Sequence, residues 1–198
     1  VKPLLVATRN PGKLREIESI LGPGVPLRYL VDYPEAHDVE EDGDTFEANA
    51  LKKATEMCAV TGLITLADDS GLEVDALNGA PGVYSARFAG PEATDDDNNA
   101  KLLDLLKHTP DNERQARFRC VIAIVSPEGN AKTVSDAWEG SIIHEARGEN
   151  GFGYDPLFFS PEDGTTSAEL APETKNRASH RGKALRAGKP LILEFLED

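Results

Sequence analysis

Residues 66–73 read LADDSGLE: an apolar run, Leu63-Ile64-Thr65-Leu66-Ala67, delivers two adjacent acids, then Ser70 and Gly71. Two readings are open. In the first, the run is a strand that ends in an Asx-type turn, with the acids bonding their own backbone and Gly71 supplying a positive φ. In the second, the acids belong to a site. Successive strand residues point to opposite faces, so Asp68 and Asp69 cannot both face one groove without a bend. The rest of the chain decides between the two.

Upstream, Leu4-Leu5-Val6-Ala7 reads as a buried strand, and Leu14, Ile17 and Leu21 recur at helical spacing after Asn10-Pro11-Gly12. Pro26 to Val31 is a second strand candidate, followed by an acid-rich loop from His37 to Asp44. Thr45 to Val60 reads as a helix ending at Gly62. Asp44 and Glu47 stand in capping-box spacing, and Phe46, Ala50, Ala54, Met57 and Cys58 share a face.

Downstream, Gly71 to Leu77 continues the strand or returns as a hairpin, and Asn78-Gly79-Ala80-Pro81-Gly82 is a loop. Asn99 to His108 reads as a helix with Leu102, Leu103, Leu105 and Leu106 inward. Ala116, Phe118, Cys120 and Ile122 alternate with polar residues in a strand whose antiparallel partner spans Ala131 to His144, across a turn at Pro127-Glu128-Gly129-Asn130. A glycine-rich loop, Gly148 to Pro156, leads to a short strand, Leu157–Phe159. Ala168 to Leu196 is mainly helical, with interruptions near Ser179 and Gly188. Helices mixed with hairpins and crossovers predict an α/β protein with a mixed central sheet, a single domain over residues 1–198 without a linker.

Charge is the first functional constraint. The 35 acids against 21 bases leave a net of −14, which repels nucleic acid and anionic membrane surfaces. An acidic protein binds a small polyanion where basic side chains converge and a divalent cation offsets part of the charge. Cys58 and Cys120 match no metal-binding spacing and read as reduced core residues. Neither a secretory signal nor a membrane-length apolar run is visible, which predicts a cytoplasmic protein.

Three further stretches carry chemistry. Thr8-Arg9-Asn10-Pro11-Gly12-Lys13 sits where a strand enters a helix, a position that favours an anion, although an ordinary strand–helix turn has the same composition. It is not a Walker loop, since Ala7 and Leu14 stand where that motif needs Gly and Ser or Thr. Gly148, Gly151 and Gly153 do not form GxGxxG, which disfavours a dinucleotide fold. Phe152 and Tyr154 flank a glycine there, and each either offers its face to a flat base or fills core. Ser179-His180-Arg181-Gly182-Lys183 places cations at a helix start, against the dipole, which fits an anionic or acceptor ligand or a solvated basic patch. The runs Glu40-Glu41-Asp42 and Asp95-Asp96-Asp97 are ordinary acidic segments, and the first gains meaning only beside Asp68 and Asp69, where a cation would join the carboxylates. GxSxG, HExxH and catalytic-cysteine signatures are absent.

Taken in order, TRNPGK, EEDGDTFEANALKKA, ADDSGLEVDALNGAPGVYSARFAG, GFGYDP and SHRGKAL resemble the inosine triphosphate pyrophosphatase family, over nearly the whole chain. The resemblance implies an elongated two-lobed α/β fold with a cleft between lobes, a homodimer, and Mg²⁺-dependent cleavage of non-canonical purine nucleoside triphosphates (ITP, dITP, XTP) to monophosphate and pyrophosphate. It matches Thr8, Arg9, Asn10, Pro11, Gly12 and Lys13 to phosphate binding, with Arg9 standing where the family commonly has small or polar residues. Lys53 matches a lysine directed at the substrate. Glu40 and Asp69 match metal-associated acids, and Asp69 also the general base. Ser70 matches a substrate contact, and Phe152, Gly153, Tyr154, Asp155, Lys175, His180 and Arg181 match the nucleoside pocket. A pyrophosphatase for another modified nucleotide and a non-catalytic nucleotide sensor are the competing readings.

Overall fold

The protein is described here by a computed structural model covering residues 2–197. Strand β1 (Leu4–Val6) leads into helix α1 (Pro11–Leu21), whose first turn suits Pro11 and whose N-cap is Asn10, accepting from the N–H groups of Gly12 and Lys13. Strand β2 (Leu27–Tyr29) is followed by helix α2 (Phe46–Thr61). The cap of α2 is Thr45, which accepts from Ala48 N–H, rather than Asp44, and Gly62 ends the helix at φ 68°.

Strand β3 (Ile64–Val74) runs straight through the acidic doublet and past Gly71, whose φ is not positive. This excludes the Asx-turn reading: the segment after Gly71 continues the strand. Helix α3 (Asp95–Leu105) starts four residues before the expected Asn99, because Thr94 and Asp97 form a reciprocal capping box. Within and just after it Leu102 and Leu106 are buried, whereas Leu105 is exposed. Strands β4 (Gln115–Val125) and β5 (Ala131–Ile142) are neighbours across the expected turn, followed by β6 (Phe158–Ser160) and β7 (Thr165–Thr166). Helix α4 (Pro172–Ala178) stops at Ser179, and α5 (His180–Glu197) then continues through Gly188 and Pro190 without the expected second interruption.

The seven strands form one mixed sheet in the order β2-β1-β3-β4-β5-β6-β7, with β1 parallel to β2 and β3, and β6 antiparallel to β5 and β7. By internal contacts the chain falls into two units. The first holds the residues up to Asp69, Cys120–Asp136 and those from Arg181 onward; the second holds Ser70–Arg119 and Ala137–His180.

In the first unit, α1 and α5 bury Ile17, Leu21, Ala184, Leu185, Ile192 and Leu196 against Leu4, Val6, Ile64, Leu66, Ile122 and Ile124. This packing accounts for α5 passing Gly188 and Pro190, since apolar burial on both sides outweighs their poor helix propensity. The even-numbered face of β3 therefore meets α1 and α5, and by alternation the odd-numbered face looks the other way. In the second unit, Leu72, Val74, Ala116, Phe118, Trp138, Ile142 and Phe158 pack with Leu102 and Leu106. Among the described residues no helix is long and apolar enough to cross a membrane.

Candidate active site

The first unit assembles charge around the doublet at Asp68 and Asp69. Asp68 is almost fully buried on the face of β3 that meets α1 and α5. Its Oδ2 lies 3.0 Å from Lys13 Nζ and accepts from Arg181 Nε and Nη2 at 3.3 and 3.2 Å. Arg181, itself buried, also donates to Glu16. Burial alone would favour the neutral acid, but Lys13, Arg181 and Lys53 outweigh it and hold the Asp68 carboxyl far below the ordinary range.

Asp69 is also buried, yet its surroundings are different. Asn49 Nδ2 donates to its Oδ2 at 3.1 Å, and Lys53 Nζ stands 3.9 Å from its Oδ1. Lys53 divides its charge, donating to Glu41 at 2.5 Å and to the Asp68 carbonyl at 2.7 Å. Burial, reinforced by the nearby Glu41 carboxylate and only partly offset by Lys53, Lys13 and Asn49, pushes the Asp69 carboxyl up to about 6. A carboxylate raised toward neutrality accepts a proton readily near pH 7, the property required of a general base.

The opening loop is more self-satisfied than its sequence suggested. Asn10 occupies two N–H groups of the α1 terminus, Thr8 Oγ1 accepts from Asn10 N–H, and Arg9 donates to Asp38 Oδ1 at 3.0 Å and to the Ala36 carbonyl at 2.6 Å. Lys13 is the member of TRNPGK that reaches the doublet. Glu40 is exposed and contributes its field to Lys52, whereas its neighbour Glu41 faces Lys53 and Asp69.

The second unit builds a different kind of site, around the buried Asp155. Its Oδ2 accepts from Lys175 Nζ at 2.6 Å and from Phe152 N–H at 2.9 Å, and its Oδ1 accepts from Ser167 at 2.8 Å. Gly151 has φ 76°, and a Cβ there would lie 2.0 Å from Asp155 Oδ2, so the loop closes this tightly only with glycine. Lys175 is thereby held 4.7 Å above the Phe152 ring, and that ring remains partly exposed. Tyr154, in contrast, is buried in the core and donates its hydroxyl to the Ser85 carbonyl at 2.7 Å. His180 stacks on Phe118 with ring centroids 4.9 Å apart. Ser70 is partly buried at the point where β3 enters this unit.

Further residues outside the predicted set shape the two sites. Asp95 Oδ2 accepts from Gly153 N–H at 2.7 Å, and Asn99 donates to the Gly153 carbonyl at 2.9 Å, so two side chains one helical turn apart grip both polar groups of one loop residue. The i, i+4 spacing was readable, but its distant partner was not. Asn49 carried a clearer signal, a polar residue among the apolar positions of α2, one turn from Lys53. The pairing of Glu16 with Arg181 spans 165 residues and had no local signal.

A divalent cation fits the chemistry of the first unit without a dedicated cage. Among the described residues, no three His, Cys, Asp or Glu side chains converge as a ready ligand set. Mg²⁺ commonly takes one or two carboxylates and completes its shell with water and substrate phosphates, and Asp69 beside Glu41 offers such a pair.

The family model described as Ham1 family matches residues 4–190. The chain belongs to the Ham1 family. A dITP/XTP pyrophosphatase from Geobacter sulfurreducens is 59% identical over 92% of this chain and 92% of its own length, and one from Desulforamulus reducens is 54% identical over 96% and 94%. A solved HAM1 protein from Coxiella burnetii superposes with a TM-score of 0.89 at 41% identity, covering 98% of this chain and 100% of that one. Ham1 membership bears out the resemblance stated from the sequence motifs, and the mixed α/β architecture is the one shared with this solved relative.

Proposed function

We propose that this chain hydrolyses non-canonical purine nucleoside triphosphates (dITP, XTP and ITP) to the monophosphate and pyrophosphate, with Mg²⁺ as cofactor. It is a nucleoside triphosphate pyrophosphatase, a hydrolase acting on phosphoric anhydrides. The observation that carries this reading is the pairing of a buried carboxyl raised to about 6, Asp69, with two lysines, Lys13 and Lys53, in one unit. The names of its relatives, dITP/XTP pyrophosphatase, support the substrate class.

Cleavage adds water to phosphorus and breaks the bond between the α and β phosphates, so that pyrophosphate leaves with the electron pair of that bond. Asp69, as the carboxylate, takes the proton from the attacking water. Lys13 and Lys53 balance a triphosphate of about −4 charge, which the net-acidic protein would otherwise repel. Asp69 with Glu41, or with Glu40 from the same loop, would hold Mg²⁺, which when bound neutralises phosphate charge and favours the leaving group. Arg181, engaged with Asp68 and Glu16, fixes the doublet.

In the second unit, Phe152 supplies a stacking face for the base, and Lys175 and His180 are the donors for O6 of hypoxanthine or xanthine. Adenine presents an amino donor at that position, and the mismatch rejects ATP. The resemblance extends the proposal to a homodimer in the cytoplasm. The test is pyrophosphate release from dITP, XTP and ATP, with and without Mg²⁺. Release from dITP and XTP only when Mg²⁺ is present is the expected result. Binding without turnover, or orthophosphate as the product, overturns the reading.

A further inference from the structure

Asn49 has no exposed surface, although it sits in α2 among residues chosen for apolar packing. A buried amide is destabilising unless its donors and acceptor are engaged, and here they are. Oδ1 accepts from Gly43 N–H at 2.8 Å, while Nδ2 donates to the Gly43 carbonyl at 3.4 Å and to Asp69 Oδ2 at 3.1 Å. The orientation of the amide follows from chemistry. Gly43 N–H can only donate, so the oxygen must face the loop and the NH₂ group must face Asp69. Turning the amide over would set oxygen against carboxylate and amino group against N–H.

The loop is built for this approach. A Cβ on Gly43 would lie 2.7 Å from Asn49 Oδ1 and 3.0 Å from Ala48 Cβ, so only glycine lets the backbone close on the amide. One side chain therefore ties two things together: the orientation of Asp69, and the segment Glu40 to Gly43 that brings Glu41 onto Lys53.

We propose that Asn49 is a positioning residue for the reaction, clamping Asp69 through Oδ2 and fixing the acidic loop against it in one geometry. This rests on reading Asp69 as the general base. Asn49 does not touch substrate; it acts through Asp69, so its loss falls on turnover and leaves substrate affinity nearly intact.

The experiment measures kcat and KM for pyrophosphate release from dITP at saturating Mg²⁺ for Asn49→Ala and Asn49→Asp, each in the parent and in an Asp69→Asn background, with melting temperatures alongside. Asn49→Asp keeps the volume and the acceptor for Gly43 N–H but sets a second carboxyl against Asp69, so Asn49→Leu, measured in the same way, keeps the volume with neither donor nor added charge and decides the question should the alanine variant fail to fold. In the parent background kcat falls about 10- to 100-fold with KM changed less than about 3-fold, as expected for an interaction that matters in the transition state. In the Asp69→Asn background the further loss is under about 2-fold, because residues acting through one group are not additive. Undiminished kcat in the folded variants, a rise in KM matching the loss of kcat, or full additivity with Asp69→Asn would overturn the proposal. Absence of pyrophosphate release from the unmodified chain is a separate result that removes the proposed function itself.

Discussion

The two faces of β3 at its midpoint carry the same side chain and treat it in opposite ways. On the face that meets α1 and α5, Asp68 is compensated by Lys13 and Arg181, with Glu16 completing the network around the guanidinium. On the other, Asp69 meets the neutral amide of Asn49 and the carboxylate of Glu41, and Lys53 and Lys13 only partly offset its burial. The first aspartate stays ionised far below neutrality, and the second is raised to about 6. Burial is similar for both, so compensation accounts for the difference. An acid with all its charge balanced is a strut, and one left undercompensated is available for proton transfer.

The largest effect that would sharpen this contrast is on stability. Asp68→Asn leaves Arg181 buried with half its carboxylate partners, and breaking such a network is expected to destabilise the fold by about 3–5 kcal/mol in urea or thermal unfolding at pH 7. The sign follows from the depressed carboxyl: its contribution is fully present above the unfolded-state value of 3.8 and fades only as pH falls through the lower folded value. Asp69→Asn shows no comparable loss, since a raised carboxyl opposes folding above its folded value. Equal destabilisation by both substitutions would erase the distinction between the faces.

A smaller effect is expected at the second unit's aromatic loop, where a buried aspartate again does structural work but through local hydrogen bonds. Phe152→Ala raises KM for dITP about 10-fold, within the range for one lost stacking face, and leaves kcat nearly unchanged. Asn99→Ala, which releases one of the two grips on Gly153, moves KM in the same direction by less. Unchanged KM values in both would remove the loop from base binding.

Much of this was legible in the sequence, for identifiable reasons. β1, α1, α2 and β4 announced themselves by periodicity, and strand alternation alone separated Asp68 from Asp69 onto two faces. The start of α3 at Asp95 lies four residues before the expected Asn99 because Asp95, Asp96 and Asp97 look like a solvated run, and only the capping box between Thr94 and Asp97 makes them the first turn of the helix. The interruption expected near Gly188 is absent because, although Gly188 and Pro190 disfavour a helix in isolation, tertiary packing of Ile192 and Leu196 carries α5 through them. Within the acidic loop, nothing periodic distinguishes Glu40 from Glu41; a one-residue difference in an irregular segment exchanges an exposed acid for one facing Lys53. The resemblance matches Arg181 to the nucleoside pocket, and no local signal points to its contact with Asp68, 113 residues away.

The division of labour across β3 is tested most directly by the pH–rate profile of Asp69→Asn beside that of the parent, with dITP and Mg²⁺. For the parent, kcat/KM falls on the acid side as the carboxylate form of Asp69 is lost, at a pH that bound Mg²⁺ moves below the metal-free value of about 6. Asp69→Asn is expected to turn over about 10²-fold more slowly at pH 8 and to lack that acid limb. Near-parental turnover with the limb retained would contradict it, and would assign the proton transfer to a different residue.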